Sequence, residues 1–290
     1  MKYLFNIIFF VQLQIAHLRN SERYRKSLAL KHKLDEADCP LNDSEKKYFR
    51  QFLNTRLCKC PLNYQFAYKY DWAFTKVYSD KENGLKYVIT PEKHRLYFKR
   101  NMTTAQIRKM YKFLCAEQDL QSPHCYTFCC EPKENTVLAD IGTAEGNFAL
   151  KFIERFSKVY LFECDPEWLE ALQATFSPWT DKIEIVKAYV SDINDADHVS
   201  LDHFFTGKEI PTLLKMDVEG YEERVLLGAN KLINSNMKME LLVCTYHCKN
   251  DDKKLSTILM DNNYDIEFSS GWMIFEDDFR KGLLHAGKKL

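Results

Sequence analysis

Residues 137–165 read VLADIGTAEGNFALKFIERFSKVYLFECD, and this stretch decides the fold of the chain. It holds an apolar strand that ends in Asp140, a loop with two glycines, an amphipathic helix and a second strand that ends in Glu163. Glu163 follows the first glycine, Gly142, by 21 positions. In α/β proteins, an acidic residue at this distance across a strand–loop–helix–strand unit binds the ribose of a nucleotide-like cofactor. The segment therefore predicts a cofactor site.

The rest of the chain continues this alternation of apolar strands and helices. Strands are predicted at 137–141, 159–163, 183–189, 212–217 and 239–246, and helices near 147–156, 166–176, 221–234 and 252–262. Two further strands, near 264–268 and 272–276, are expected to form a hairpin across the turn at 269–271. Apolar strands separated by helices indicate parallel strands buried on both faces. The predicted fold class is α/β, with a Rossmann-like, mostly parallel sheet and an antiparallel edge hairpin.

The first part of the chain has few glycines and mainly helical periodicity. We therefore divide the chain into a mainly helical N-terminal region, residues 1–132, and a cofactor-binding domain, residues 133–290. Within the N-terminal region, a short β-hairpin is predicted near 86–99 and a helix near 103–117.

Residues 1–16, MKYLFNIIFFVQLQIA, are apolar but too short and too interrupted by polar residues to span a bilayer. No small-residue cleavage site follows them, which argues against a signal peptide. Their apolar residues recur at helical spacing and predict a helix with one apolar stripe. This helix either packs on the rest of the protein or makes a peripheral membrane contact, because six basic residues follow between positions 19 and 33.

Charge and cysteine content narrow the class of protein. The 41 basic residues equal the 41 acidic ones, so we predict no nucleic-acid partner. The 10 cysteines follow neither a disulfide framework nor paired CxxC spacing, which predicts reduced thiols in a cytoplasmic protein. His124, Cys125 and the vicinal pair Cys129–Cys130 form a cluster that could bind metal, but no other sequence feature supports this.

The loop at 142–146, GTAEG, differs from the GxGxxG loop of dinucleotide-binding proteins. The GxGxxG loop brings the backbone against a pyrophosphate, and Glu145 would place like charge beside that group. A cofactor without phosphate, S-adenosylmethionine, fits better. Asp140 is expected to bind its ammonium group or to order water around it, and Glu163 to accept both ribose hydroxyls. Taken alone, the glycine pair would equally describe a tight turn.

The third predicted strand ends in YVSD at 189–192. A short polar side chain here is expected to hydrogen-bond the adenine amino group, and the alternative is an Asx turn that ends the strand. The predicted cofactor-binding residues are Asp140, Gly142, Thr143, Glu145, Gly146, Asn147, Glu163 and Asp192.

A second group of ionisable residues lies in LKMDVEGYE at 214–222. Lys215, Asp217 and Glu219 alternate at the end of the fourth strand, so they share one side of the backbone. Burying three such groups is costly without a role, although helix capping by one carboxylate is an alternative. The fifth strand ends at His247, which is expected to lie beside Asp217 and Glu219, where general-base chemistry or metal binding would occur.

The order of these motifs resembles the FkbM-type S-adenosylmethionine-dependent methyltransferases. The resemblance rests on VLADIGTAEGNF, YLFECDPEWLEAL, YVSD and LKMDVEGYEERVLLGA, and it covers roughly residues 135–277. The family signature K-[IM]-D-[VI]-E-G-x-E is matched by Lys215, Asp217, Glu219, Gly220 and Glu222. The resemblance implies a class I methyltransferase fold and O-methylation, often of a glycan or secondary metabolite. The chain departs from the family at 143–145, where many members have Ala-Asn-x, and at Tyr246–His247, where many carry a glutamate.

Methyl transfer to a hydroxyl needs a group that accepts the hydroxyl proton. We predict His247 or Asp217 as this base, with Lys215 and Glu219 orienting the acceptor. A second mechanism, similar in outline to that of catechol O-methyltransferase, would use Mg²⁺ or Mn²⁺ held by Asp217, Glu219 and His247. The predicted partner is a glycan or small-molecule acceptor. The first 130 residues lie outside the resemblance and are the candidate region for acceptor choice.

Three other functions share part of the pattern. An NAD-dependent oxidoreductase would share Glu163 but needs the pyrophosphate loop that is absent here. A nucleic-acid methyltransferase typically shows an Asn/Asp-Pro-Pro-aromatic motif or a basic face, and this chain shows neither. A non-catalytic S-adenosylmethionine-binding protein should have lost the Lys215, Asp217 and Glu219 set, which is retained.

Overall fold

The computed structural model describes residues 22, 24–55, 64–70, 75–235 and 238–288. The apolar helix predicted at 1–16 lies outside these residues. The chain forms two compact units: Met1–Asn63 with Trp272–Arg280, and Tyr64–Gly271 with Lys281–Leu290. Within the described ranges, no helix has the length and apolar character needed to cross a membrane.

Short helices and strands alternate through most of the chain. The described helices are α1 (24–33), α2 (Asp43–Thr55), α3 (Thr104–Glu117), α4 (Asn147–Lys151), α5 (Pro166–Thr175), α6 (Leu201–Phe204), α7 (Glu222–Leu227), α8 (Asn230–Asn234) and α9 (Asp251–Asp261). The described strands are β1 (Tyr78–Ser79), β2 (Lys86–Ile89), β3 (Arg95–Tyr97), β4 (Thr136–Ile141), β5 (Phe156–Phe162), β6 (Ile183–Val186), β7 (Tyr189–Val190), β8 (His198–Val199), β9 (Leu213–Met216), β10 (Glu240–Cys244), β11 (Tyr264–Phe268), β12 (Met273–Phe275), β13 (Asp278–Arg280) and β14 (Leu283–Lys288). Short 3₁₀ turns lie at Gln65–Lys69, Ile153–Arg155 and Ser177–Trp179.

The larger unit is built on a seven-stranded sheet with the order β11-β14-β10-β9-β4-β5-β6. The pairs from β10 to β6 are parallel, whereas β14 is antiparallel to both β10 and β11. This confirms the predicted Rossmann-like, mostly parallel sheet with antiparallel pairing near one edge. The strand order reverses between β4 and β9, and ligands of such sheets bind outside the carboxyl ends at the reversal.

The central strands are apolar along their length because both faces of the sheet are covered. Every residue of β9 is buried, and β4 is buried from Val137 to Ile141. Asp140 and Lys215 are the ionisable exceptions in these two strands, and they are register partners on neighbouring strands. A buried charge is costly unless it is paired, so their adjacency lets each offset the other.

The predicted hairpin between 264–268 and 272–276 is wrong. β11 pairs instead with β14, and β12 pairs with β13. After β11 the chain contributes residues 272–280 to the smaller unit and then returns as β14, between β10 and β11. The turn residues at 269–271 mark a change of direction, but local turn chemistry does not identify the strand with which a segment pairs.

The structure contains the predicted hairpin near 86–99 as β2 and β3, and the predicted helix as α3. Thr103 caps α3 in a capping box with Gln106, which satisfies two backbone amides at the helix start. The hairpin contacts α5, where the Tyr97 amide donates to the Thr175 hydroxyl at 3.1 Å. The larger unit therefore begins at Tyr64, well before the division predicted at residue 132.

The smaller unit contains α1, α2 and the β12–β13 hairpin. The rings of Phe49 and Phe279 pack with centroids 4.9 Å apart. Lys33 and Asp278 form an ion pair at 3.1 Å. These contacts join the hairpin to the two helices within this unit.

Candidate active site

A tight loop after β4 brings the ends of β4, β5 and β9 together. The amides of Gly142 and Thr143 both donate to the Phe162 carbonyl at 3.1 Å. Gly142 has φ +74°, and a Cβ atom there would lie 1.8 Å from the backbone oxygen of Asp217. Only glycine adopts this conformation readily and permits this contact. The loop is therefore fixed against the turn that follows β9.

The second glycine of the loop packs against protein. Gly146 has φ +81°, and a Cβ atom there would lie 2.7 Å from the Phe176 ring and 2.9 Å from Leu172. Two cavities border this loop, and Gly146 lines neither of them as far as the described residues define their walls. The structure thus places it against α5, and not at the cofactor position that the sequence predicts.

Glu163 is buried at the end of β5, and backbone amides hold its carboxylate. One oxygen accepts from the amides of Cys164 and Asp165, and the other from the amide of Ala144, all at 2.8 Å. The three amides fix the carboxylate on the wall of one of these two cavities. The contact of Glu163 with both ribose hydroxyls stays a prediction.

A cavity of about 660 Å³ opens beside Glu163. Its walls include the apolar side chains of Phe162, Trp168 and Val190. Volumes of this size, with apolar walls and a few polar groups, are typical of cofactor sites. We call it the larger cavity.

The end of β7 presents Ser191, and not Asp192, to the larger cavity. The carboxylate of Asp192 instead pairs with Arg224 at 2.6 Å. The predicted contact with adenine therefore cannot come from the Asp192 side chain as it is placed here. Ser191 is the short polar residue in the position that the sequence assigns to Asp192.

A second cavity of about 260 Å³ lies on the other side of the loop, and we call it the smaller cavity. Thr143, Glu145 and Asn147 line it, so three predicted cofactor residues lie here. Both cavities share four wall residues: Gly142, Ala144, Asp217 and Glu219. Two ligands that occupied the two cavities would meet at these residues.

Lys215 is committed to contacts within the protein. Its ammonium group lies 2.9 Å from Asp140 and donates to the Gly142 carbonyl at 2.8 Å. Burial opposes its charge, but Asp140 and Asp217 outweigh burial and raise the pKa of Lys215. The same pairing occupies Asp140, which is predicted to bind the cofactor ammonium. Lys215 therefore fixes the loop, and it also lines the smaller cavity, so its role in orienting an acceptor stays a prediction.

Asp217 lies at the centre of the site, at the end of β9. One carboxylate oxygen accepts from the Tyr126 hydroxyl at 2.8 Å and lies 3.7 Å from His124 Nε2. The other lies 3.5 Å from His247 Nε2. Burial would raise the pKa of Asp217, but Lys215, the two imidazoles and Tyr126 together lower it. Asp217 is therefore ionised at neutral pH.

His247 lies behind Asp217 and outside the walls of both cavities, as far as the described residues define them. Its Nδ1 lies 2.8 Å from buried Glu222, which also accepts from the Val218 amide. Its Nε2 lies 3.5 Å from Asp217 and 3.6 Å from Glu219. Burial opposes the imidazolium, but Glu222 and Asp217 outweigh burial and raise the pKa of His247. The structure thus places His247 where it positions Asp217.

Three carboxyl groups that line the smaller cavity have a raised pKa, and two of them are the glutamates Glu145 and Glu117; the third is Asp140. Burial raises the pKa of Glu145 to about 7. Burial, then Asp217 and Glu145, raise the pKa of Glu117 well above its ordinary value. Both groups thus carry protons more readily than ordinary glutamates do.

Glu219 is the most exposed member of the predicted catalytic set, with 85% of its side chain accessible. It has φ +54° in the turn after β9 and borders both cavities. Its Oε2 lies 3.6 Å from His247 Nε2. The ligand atoms that lie within 4.8 Å of one another here are those of Asp217, Glu222 and His247, so the structure does not assemble the predicted set with Glu219.

Sequence reasoning missed several residues of the site. Glu117, His124 and Tyr126 precede the recognised motifs, and no spacing signal connects them to Asp217. Glu222 stands in the EGxE part of the signature, which could have identified it as the partner of His247.

Known proteins that are similar to this chain include one family and several solved structures. The family model described as "Methyltransferase FkbM domain" matches residues 65–266. No curated protein matches the chain. Similar solved structures include the precorrin-6y C5,15-methyltransferase of Geobacter metallireducens, with 11% identity, 58% of this chain and 87% of that chain covered, and a TM-score of 0.42. TrmK of M. capricolum, bound to S-adenosyl-homocysteine, has 15% identity, 58% and 67% coverage, and a TM-score of 0.41. The N-methyltransferase NodS of Bradyrhizobium japonicum has 12% identity, 55% and 88% coverage, and a TM-score of 0.39.

Proposed function

Because this chain belongs to the FkbM methyltransferase family, we propose that its S-adenosylmethionine-dependent methyl transfer is directed to a hydroxyl oxygen of a glycan or small metabolite. The observation that carries the proposal is the position of Asp217. It is an ionised carboxylate on the wall shared by the two cavities. A hydroxyl acceptor needs such a group, because its proton must leave as the ether forms.

The residues of the larger cavity suit the nucleoside part of S-adenosylmethionine. In this proposal Glu163 accepts from the ribose hydroxyls and Ser191 contacts the adenine edge, since both residues line the larger cavity. Gly142 keeps the loop close to the turn after β9 without an intervening side chain. When bound, S-adenosylmethionine supplies a methyl group on a sulfonium, which is a good leaving group. The family match also removes the oxidoreductase alternative.

Asp217 acts as the proton acceptor in this proposal. Its lowered pKa does not prevent this role, because an oxygen that has gained a methyl group is a far stronger acid than a carboxylic acid. The Tyr126 hydroxyl donates to one carboxylate oxygen of Asp217 at 2.8 Å. His247, which is itself held by Glu222, lies 3.5 Å from the other oxygen. His247 is a positioning residue here, and Lys215 fixes the loop that borders both ligands.

The walls of the smaller cavity support a sugar or similar polyhydroxylated acceptor. Tyr126, Phe148 and Tyr246 contribute aromatic surface, and Asn147 with Glu117 contributes hydrogen-bonding groups. Aromatic faces combined with a few polar groups suit a ligand with apolar faces and polar edges.

The central experiment measures methyl transfer from methyl-labelled S-adenosylmethionine to a panel of saccharides and small alcohols, with amines as comparators, read by mass spectrometry. We expect labelled ethers. Asp217→Asn should lower kcat by roughly 10²- to 10⁴-fold, the usual contribution of general-base catalysis, with cofactor affinity nearly unchanged. Asp192→Asn, whose carboxylate lies outside both cavities, is the matched control and should retain activity. Methylation confined to amines would refute the hydroxyl assignment, and full turnover in Asp217→Asn would remove this residue as the base.

Calorimetry tests the cofactor separately. We expect micromolar binding of S-adenosylmethionine that Glu163→Ala weakens, and no heat with NAD. Binding without transfer to any acceptor would favour the non-catalytic alternative.

The metal-assisted mechanism through Asp217, Glu219 and His247 predicts loss of activity with a chelator and recovery with Mg²⁺ or Mn²⁺. Activity that persists in the chelator would exclude it.

A further inference from the structure

Four side chains with metal-binding atoms converge at the edge of the sheet opposite to the cavities. Glu240 begins β10, and Cys129 and Cys130 lie in the segment before β4, so these residues mark the amino ends of parallel strands. His285 lies on β14, the neighbour of β10. None of these residues belongs to the methyl-transfer site. From the sequence, His124 and Cys125 are the candidate metal ligands grouped with the two cysteines, whereas the structure groups His285 and Glu240 with them.

The register of the sheet brings His285 and Glu240 together. Glu240 pairs with Gly287, and His285 lies two residues earlier on the same strand, so both side chains project from one face. Gly287 has no side chain, and a Cβ atom there would lie 3.9 Å from the His285 ring. The space above Gly287 is thus left to the imidazole and the carboxylate.

Three of the six distances between these atoms are close to the edges of a metal tetrahedron. The two sulfur atoms lie 3.6 Å apart, Cys130 Sγ lies 3.9 Å from Glu240 Oε2, and the same oxygen lies 3.6 Å from His285 Nε2. Tetrahedral zinc, with bonds of about 2.3 Å to sulfur and about 2.1 Å to nitrogen and oxygen, gives edges of about 3.8, 3.6 and 3.4 Å for these pairs. The ligand atoms of Cys129, Cys130 and His285 all lie within 4.8 Å of one another, a set that does not include Glu240. Glu240 adjoins this set through Cys130 and His285.

Two further observations point to a ligand at this place. His285 Nε2 is buried, and its contact with Glu240 Oε2 at 3.6 Å is too long for a hydrogen bond, so an ion between the two groups would satisfy it. Lys133 binds the other oxygen of Glu240 at 3.1 Å, which leaves Oε2 facing the thiols and the imidazole. Both cysteines are free thiols, and Cys130 is exposed, so an ion can enter from solvent.

We propose that Cys129, Cys130, His285 and Glu240 bind one thiophilic divalent cation, with Zn²⁺ as the expected ion. Two sulfur ligands, one imidazole and one carboxylate form a donor set that zinc prefers, whereas Mg²⁺ and Mn²⁺ prefer oxygen. Binding breaks two S–H bonds, forms two zinc–thiolate bonds and releases two protons to solvent. No oxidant or reductant is required.

The test uses the full chain, freed of metal by a chelator under reducing conditions and titrated with Co²⁺. We expect thiolate-to-cobalt charge-transfer bands that saturate at one ion per chain and disappear when Zn²⁺ displaces cobalt. Cys129→Ser and Cys130→Ser should each weaken zinc binding by roughly 100-fold or more, and His285→Gln by roughly 10- to 100-fold, by analogy with losses seen at the supporting residues of metal sites. Cys39→Ser, which changes a thiol elsewhere in the chain, is the matched control and should bind zinc as the wild type does.

Differential alkylation gives a second readout on the wild-type chain, in case the variants do not fold. Zn²⁺ should protect Cys129 and Cys130 from iodoacetamide while Cys39 still reacts. The absence of charge-transfer bands in the wild type, or equal protection with and without zinc, would overturn the proposal. So would a Cys129–Cys130 disulfide that forms in place of metal binding. Because the site is remote from the cavities, zinc binding and methyl transfer are tested independently.

Discussion

Glu145 provides a quantitative test of how burial controls charge in the smaller cavity. The carboxyl group is buried, and burial raises its pKa to about 7 from an ordinary value of 4.5. The Glu145→Gln variant keeps the size of the side chain and removes its titration. The comparison therefore isolates the free energy of ionising this one group within the folded chain.

The sign of the effect follows from proton linkage. Between pH 4.5 and 7 the folded chain holds the Glu145 proton more tightly than the unfolded chain does. The stabilisation is complete below pH 4.5 and is lost as the pH rises through 7. A difference of about 2.5 pH units at 1.36 kcal/mol per unit corresponds to about 3 kcal/mol. We therefore expect the glutamine variant to gain about 3 kcal/mol relative to the wild type between pH 4.5 and pH 8.

Urea denaturation of both proteins at several pH values measures this difference, and constant effects of the substitution cancel in its pH dependence. Glu134→Gln, which removes a carboxylate with 75% of its side chain exposed, serves as the control. A Glu145→Gln curve parallel to the wild-type curve from pH 4.5 to 8 would refute the reasoning. The same variant tests the predicted contact of Glu145 with the cofactor. With this contact, the affinity of the wild type for S-adenosylmethionine should rise as the pH passes about 7 and Glu145 ionises, whereas the affinity of Glu145→Gln should not.

Three further outcomes are expected. Gly142→Ala should abolish cofactor binding and lower stability, because the new Cβ atom would lie 1.8 Å from the Asp217 backbone oxygen. Calorimetry measures the binding and thermal unfolding measures the stability, and wild-type affinity in this variant would contradict the assigned contact. Lys215→Met should lower the free energy of unfolding by roughly 3–5 kcal/mol, because it leaves Asp140 buried and unpaired. The double variant with Asp140→Asn should recover much of this loss, and equal stability of the single and double variants would contradict the pairing argument. Burial lowers the pKa of His124 to about 4, so between pH 6.5 and about 4 only the unfolded chain gains this proton and the wild type loses stability. His124→Gln should reduce this loss, and an unchanged loss of stability in the same pH range would refute the reasoning.

Local patterns predicted most of the sheet. The strands β4, β5, β6, β9 and β10 and the helices α4, α5 and α7 follow from apolar runs and capping residues, which depend on neighbours in sequence. The short strand β8 and helix α6 were not predicted. The pairing of β11 could not be predicted in this way. Its partner β14 lies beyond an excursion through residues 272–280, and local turn signals do not encode long-range register.

The sequence likewise predicted only part of the candidate site. The sequence identified the loop after β4, Glu163 at the end of β5 and Asp217 at the end of β9, because motif spacing fixes where a strand ends. It could not distinguish residues that face a cavity from residues that support them. Lys215 and His247 are ionisable and lie near the cavities, yet the groups closest to them are Asp140 and Glu222.

The sequence by itself thus determined the α/β class, the methyltransferase family and the strand ends at which the site is built. The tertiary structure alone decided that Glu117, His124 and Tyr126 enter the site, that Ser191 replaces Asp192 at the larger cavity, and that Cys129 and Cys130 meet His285 and Glu240. The physical reason is that backbone periodicity and turn chemistry are local, whereas burial, side-chain pairing and pKa depend on groups brought together from distant parts of the chain.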